Sequence, residues 1–184
     1  ILVLIGASML MVTPARAEPV SVNLIADGGS PDTAFTIGTV TVSNDATNLI
    51  VVYSIDTANY PDWYLSETHL AVYTGSADNI PQKNGNPPPG KFMALGTPGG
   101  VEHDPLVQGY TYSVPLESVS PGTTLYIAAQ ASCVQLVIGD DPSTPDIVET
   151  EYPIRWETAW GEGSDFSGSN WAMYFTYEVQ GVTV

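Results

Sequence analysis

The chain has two histidines, and each stands beside an acid: Glu67 with His69 in Leu65–Leu70 (LSETHL), and His103 with Asp104 in Glu102–Pro105 (EHDP). Imidazole and carboxylate together bind zinc and other divalent ions. Residues two apart on a strand share a face, so Glu67 and His69 could grip one ion. Nothing in the sequence brings His103 to them. The plainer reading is therefore favoured, with Glu67 and His103 as buried or bridging groups that tie a long loop to a sheet. A second set is the acidic run Asp140, Asp141, Asp146, Glu149 and Glu151. Calcium takes clustered carboxylates, but the Asp-x-Asp-x-Asp-Gly order of an EF-hand is missing and Pro142 and Pro145 interrupt the run. A solvated loop is the better reading. Glu162 and Asp165, among Gly161 and Gly163, form a smaller alternative. No cofactor is required by these residues; calcium or zinc is the class they suggest.

Aromatic residues offer different chemistry. Tyr60, Trp63, Tyr64, Trp156, Trp160 and Trp171 could stack on sugar rings if exposed, though aromatics in a β protein pack more often than they bind. Trp160, in a Gly-flanked turn, is the best platform, with Tyr60 as its companion. Glu67 and Glu157 could serve as a glycosidase pair, but no feature of the sequence sets their separation. No G-x-S-x-G, H-E-x-x-H or phosphate-binding glycine loop occurs. Cys133, the one cysteine, shares strand parity with Leu125 and Ile127 and reads as a buried, inert thiol. No catalytic residue is assigned, and enzymatic function is not the favoured reading.

These groups must be held by strands. Val20–Ala26, Phe35–Ser43, Leu49–Asp56, Trp63–Tyr73, Tyr110–Leu116 and Thr123–Ile138 alternate or are β-rich, with turn residues between them. Phe35–Ser43 and Leu49–Asp56, joined by an Asn/Asp loop, predict a hairpin. On Trp63–Tyr73 the alternation places Trp63, Leu65, Glu67, His69, Ala71 and Tyr73 on one face. The chain is organised around Glu157–Val179, where Trp171, Met173, Phe175, Tyr177 and Val179 share a face that needs a partner surface. Trp171 and Glu157 are structural in this reading, and the alanines of Thr123–Ile138 leave room for a bulky group such as Trp171. Thr74–Gln108 and Gly139–Pro153 read as long Gly/Pro-rich loops. The expectation is all-β: an antiparallel sandwich, Ig-like or jelly-roll-like, in one domain over 18–184.

Composition narrows the partners. Twenty acidic residues against four basic ones give a net charge of −16, so nucleic acid and anionic lipid would be repelled. Other surface proteins or glycans remain. Ile1–Met11 is apolar and leads to Ala15-Arg16-Ala17, an A-x-A pattern, so 1–17 reads as a partial signal segment and the protein as secreted or surface-bound. The run is too short to span a bilayer comfortably, and the mature chain has no stable membrane span. The rival reading keeps the segment as an anchor or filament-assembly element.

Several motifs recur together in one order: LSETHL, Asn86-Pro87 through Gly90-Lys91-Phe92, EHDP, Leu125–Ala129 (LYIAA), Glu157–Gly161 (ETAWG) and Asn170–Phe175 (NWAMYF). The set resembles a group of secreted or surface domains of archaea and bacteria with no established biochemical function. The resemblance covers most of the chain beyond residue 17 and implies an extracellular domain, often part of a larger surface protein. Members tend to carry His where this chain has Gln130, a departure that weakens any site needing a third histidine. The sequence thus favours an exported, non-catalytic structural or interaction module. A carbohydrate-binding module, a metal-binding domain or metal-dependent hydrolase, and an extracellular filament subunit are the alternatives.

Overall fold

The computed structural model describes residues 16–139 and 150–182. The signal segment lies almost wholly outside the described residues, as do Asp140, Asp141, Asp146 and Glu149. The structure is all-β apart from 3-10 turns at Ala77–Asn79 and Pro89–Lys91. Among the described residues no helix is long and apolar enough to cross a membrane.

In chain order the strands are β1 (Val20–Ala26), β2 (Phe35–Asn44), β3 (Asn48–Ile55), β4 (Trp63–Thr74), β5 (Met93–Ala94), β6 (Thr97–Pro98), β7 (Gly100–Val107), β8 (Gly109–Pro115), β9 (Thr124–Gly139), β10 (Thr150–Gly161), β11 (Ser164–Asp165) and β12 (Met173–Glu178). They pair in the order β6-β5-β4-β9-β10-β1-β2-β3-β8, and β7 pairs with β4. Only Gln108 separates β7 from β8, so the ladder that leaves β4 on one side returns to it on the other. The result is a nearly closed, barrel-like arrangement, a general way to hide the reactive edges of a sheet.

The expected hairpin is β2–β3, paired from Gly38↔Ile55 to Asn44↔Leu49. Its turn is set by Asp45, whose Oδ1 accepts from the backbone N–H groups of Thr47 (2.8 Å) and Asn48 (2.7 Å). These bonds favour the ionised carboxyl and hold its pKa below the ordinary value, the Thr47 backbone bond contributing most.

One core fills the interior. Leu24 and Ala26 of β1, Val40 and Val42 of β2, and Val51 and Tyr53 of β3 meet Leu70 and Val72 of β4 and Leu125, Ile127 and Ala129 of β9. A second apolar cluster lies on the outer face of β4 and β9: Ala71 and Ala128 under Ile80, Phe92, Trp160, Phe166 and Ala172. Its cover is two loops tied together, since Asn86 Oδ1 accepts from Asn170 N (2.9 Å) and Gly168 N donates to Gly85 O (3.1 Å). The proline-rich stretch is thus a lid over apolar side chains.

Three expectations are corrected. Strand β4 does not keep one parity, because a bulge between Leu65 and Glu67 shifts the register. Trp63 and Leu65 point inward before it, and Thr68, Leu70 and Val72 point inward after it. Thr74–Gln108 and Gly139–Pro153 are not wholly loop, since the first holds β7 and the second holds the start of β10. Trp171 is not in the main core: β12 begins at Met173, and the Trp171 indole lies on Gly28 and Gly29, where a side chain at Gly28 would collide with it and one at Gly29 would crowd it. Phe175, Tyr177 and Val179 are buried as expected, and Tyr177 Oη donates to Asn44 Oδ1 at 2.7 Å, fastening the C-terminal strand to β2.

Candidate functional site

The bulge in β4 decides where the sequence-nominated residues go. It turns Glu67 and His69 to the outer face, where His69 Nε2 lies 3.1 Å from Glu67 Oε2. Glu67 pairs across the ladder with Glu102 of β7, so two carboxyl residues stand in opposite register beside the imidazole. These three line an open cleft of about 600 Å³ with Phe92 and Gly100. Among the described residues His69 Nδ1 is buried without a partner, and directly across on β9 so is Gln130 Oε1.

His103 is elsewhere. It is buried, and its Nε2 lies 3.0 Å from Thr68 Oγ1, which points to the opposite face of β4 from Glu67 and His69. Thr68 Oγ1 lies 2.9 Å from Tyr112 Oη, and the His103 and Tyr110 rings are 4.7 Å apart. Asp104 is exposed. Glu67 and His69 come together, whereas His103 is tied to the core. Among the described residues, no three His, Cys, Asp or Glu side chains converge so as to hold a metal ion.

Burial lowers the His103 pKa below 6.5 because the cation is poorly solvated there. The unfolded chain therefore takes up a proton first as pH falls. Stability contributed by neutral His103 is present above about pH 6.5 and is lost as pH falls below it. Acidification also relieves repulsion among the excess carboxylates, which acts in the opposite sense in every variant. The test is the difference in melting temperature between wild type and His103→Gln, which should shrink as pH is lowered from about 7.5 to about 5. A difference independent of pH would refute this.

The aromatic platform expected at Trp160 and Tyr60 is corrected. Trp160 is 5% exposed and meets Phe92 edge-on with centroids 6.1 Å apart, so it has no face to offer. Tyr60 is half-buried and tilts on Phe35 at 5.3 Å. Glu157 is engaged in contacts within the fold. It accepts from Arg155 Nε at 2.8 Å, and the Arg155 guanidinium lies 5.2 Å from the Phe35 ring centroid, 5.6 Å from that of Trp63 and 3.6 Å from Asp27 Oδ2. Cation–π and ionic contacts thus cap one end of the core. Glu157 pairs with inward-facing Cys133, while Glu67 pairs with outward-facing Ser132. The two acids lie on opposite faces of one sheet and cannot flank a glycosidic bond. The Cys133 thiol is pushed up to about 12, chiefly by burial and further by Glu157, so it stays protonated. Glu162 is held by Asn23 Nδ2 at 2.8 Å, and Glu151 is exposed on β10.

A different surface emerges where β9 and β10 outrun the barrel. β4 stops covering β9 at Gln135, Leu136 N–H still donates to Asp62 O at 2.9 Å, and beyond it Val137, Ile138 and Gly139 are laddered only to β10 among the described residues. β10 in turn meets β1 only from Ala159 onward. The distal halves therefore form a projecting two-stranded arm. The arm exposes Ile138 (74%) and Ile154 (51%), and Trp156 (61%) is exposed at its base, where β4 still flanks β9. Trp156, Val134 and Tyr64 are direct partners across β10, β9 and β4, so they share one outward row. Parity along β9 carries the same face to Leu136 and Ile138. The sequence holds a hint of this, since Trp156 has the opposite parity to Arg155 and Glu157, but the loop expected over Gly139–Pro153 hides the start of β10. No protein family, curated protein or solved structure matches the chain.

Proposed function

We propose that this is an exported, non-catalytic β-sandwich module, a flattened form of the barrel-like fold, that works at or outside the cell surface by docking through the β9–β10 arm. The observation that carries the reading is the exposure of Ile138 and Ile154 on the arm and of Trp156 at its base, which the other described residues leave uncovered. Large apolar side chains grouped on one short projection mark interaction sites. An isolated two-stranded ribbon is marginal in water, and a partner would stabilise it. The absence of a catalytic role is supported by the opposed faces of Glu67 and Glu157 and by the buried, protonated Cys133. The A-x-A pattern and the resemblance to secreted surface domains support export.

The test is co-sedimentation of the purified protein with cell-envelope fragments of the source organism. Wild type should pellet. A Trp156→Ser/Ile138→Ser variant, with melting temperature unchanged, should pellet about tenfold less. Failure of wild type to pellet, or equal pelleting by both, would remove the reading.

A further inference from the structure

The arm suggests what it docks, an inference that rests on the reading just given. Backbone pairing is disfavoured. β10 carries Pro153, which has no N–H, and the ladder slips between Pro153 and Arg155, leaving Ile154 as the extra residue. Proline and a bulge both blunt an exposed strand edge. Along β10, recognition must then run through side chains.

The side chains of the notch at the arm are largely aliphatic. Ile138 and Leu136 lie beside Tyr64 and line, with Asp62 and Glu151, a shallow notch of about 360 Å³. Apolar protein side chains interdigitate with the aliphatic groups of the notch, whereas a sugar ring would have to stack on the exposed face of Trp156 beside it and leave the notch unfilled. The charges at the notch are Asp62 and Glu151. Asp62 also accepts from Gln135 Nε2 at 2.6 Å, which holds it in place. Arg155, the nearest base in sequence, is occupied on Phe35, Trp63, Glu157 and Asp27. A chain of net charge −16 would repel its own copy at such a face.

We infer that the arm docks a protein partner whose apolar contact residues are flanked by lysine or arginine, with Trp156, Tyr64 and Ile138 as the apolar anchors and Asp62 and Glu151 as the ion-pairing rim. Aromatic anchors inside a charged rim are the usual arrangement of a specific interface. The rim sets partner choice, and its contribution weakens with salt.

The probes are a synthetic peptide alternating lysine with valine, the same peptide with glutamate for lysine, and a neutral β-linked glucose hexasaccharide. Binding is followed by tryptophan emission and by peptide anisotropy. The lysine peptide should bind about tenfold or more tighter than the glutamate peptide. It should lose about tenfold in Trp156→Ser and several-fold in Asp62→Asn/Glu151→Gln, and should weaken as salt is raised. Equal binding of both peptides would overturn the charge rule. Binding of the hexasaccharide alone would overturn the protein partner and leave docking through the arm intact. If no probe binds and envelope fragments are not pelleted either, both proposals fall; if fragments are pelleted but no peptide binds, only this one does.

Discussion

Phe175→Ala is expected to cost about 3 kcal/mol or more and to lower the melting temperature by roughly 10 °C. The reason lies in how β9 changes partners. Its edge is held by β10 as far as Gln130↔Trp160, and by β12 from Ile127↔Phe175 onward. Between these, β10 departs for β1 through Leu24↔Gly161. Such a fork leaves a gap in the ladder, and the Phe175 ring fills it. A methyl group built on Gly161 would lie 2.9 Å from Phe175 Cε1 and 3.4 Å from Ala129 Cβ. Glycine is therefore required at 161 by the ring itself. Gly161→Ala alone should destabilise through overpacking by about 1–3 kcal/mol. In a Phe175→Ala background the same methyl enters vacated space, so it should cost little or help. Chemical denaturation of the four proteins measures the coupling. Strictly additive effects would mean that the fork is not packed in this way.

The C-terminal strand was legible because it alternates cleanly, from Met173 to Val179, with nothing to break its period. The spans of β1, β2 and β3 also lie within a residue of those expected from sequence, although a bulge that leaves Ile37 unpaired with β1 shifts the buried parity of β2 from Ile37 to Val40 and Val42. The strands that sequence missed have physical reasons for being obscure. β7 carries Glu102, His103, Asp104 and Pro105 in succession, and its register with β4 jumps from Glu67↔Glu102 to Leu65↔Val107. It is a strand by virtue of its neighbours rather than its own pattern. β10 has Pro153, a bulge and two exposed apolar residues, so neither its inward nor its outward face shows a run of one chemical type.

Site residues were legible only as far as local spacing reaches. Glu67 and His69 sit two apart on one strand, and they do touch. Linking His103 to them required knowing which face each strand presents. The bulge after Leu65 turned Thr68 toward the interior, where it took His103 as its partner. Trp160 shows the same limit. Its glycine neighbour suggested an exposed turn, yet that glycine is the packing site for Phe175, and the tryptophan belongs to the second apolar cluster. Trp156 became visible as an exposed apolar residue only once the end of β4 was located.

Tyr112→Phe is expected to cost about 2 kcal/mol, or roughly 5 °C in melting temperature, although only one oxygen is removed. Tyr112 Oη reaches Thr68 O at 2.9 Å, Gly99 O at 3.0 Å and Thr68 Oγ1 at 2.9 Å. Each hydroxyl has one proton to give. The arrangement that satisfies most groups runs in one direction: His103 Nε2–H donates to Thr68 Oγ1, Thr68 Oγ1–H donates to Tyr112 Oη, and Tyr112 Oη–H donates to a carbonyl oxygen. Removing the last link leaves a buried threonine hydroxyl without its acceptor, and water does not reach it. These bonds tie β8 to β4 and β7 at the seam where the ladder closes, so the loss should loosen the closure itself. Backbone amide exchange at Leu70, whose N–H is bonded to Gly99 O at 2.7 Å, should accelerate in the variant, while exchange in the β2–β3 hairpin changes only by the global loss of stability. Thr68→Val removes the middle of the relay. Combined with Tyr112→Phe, it should cost less than the sum of the single changes, because the second substitution no longer orphans a donor. Additive losses, with Leu70 exchanging no faster than the hairpin, would show that Tyr112 acts only through its ring.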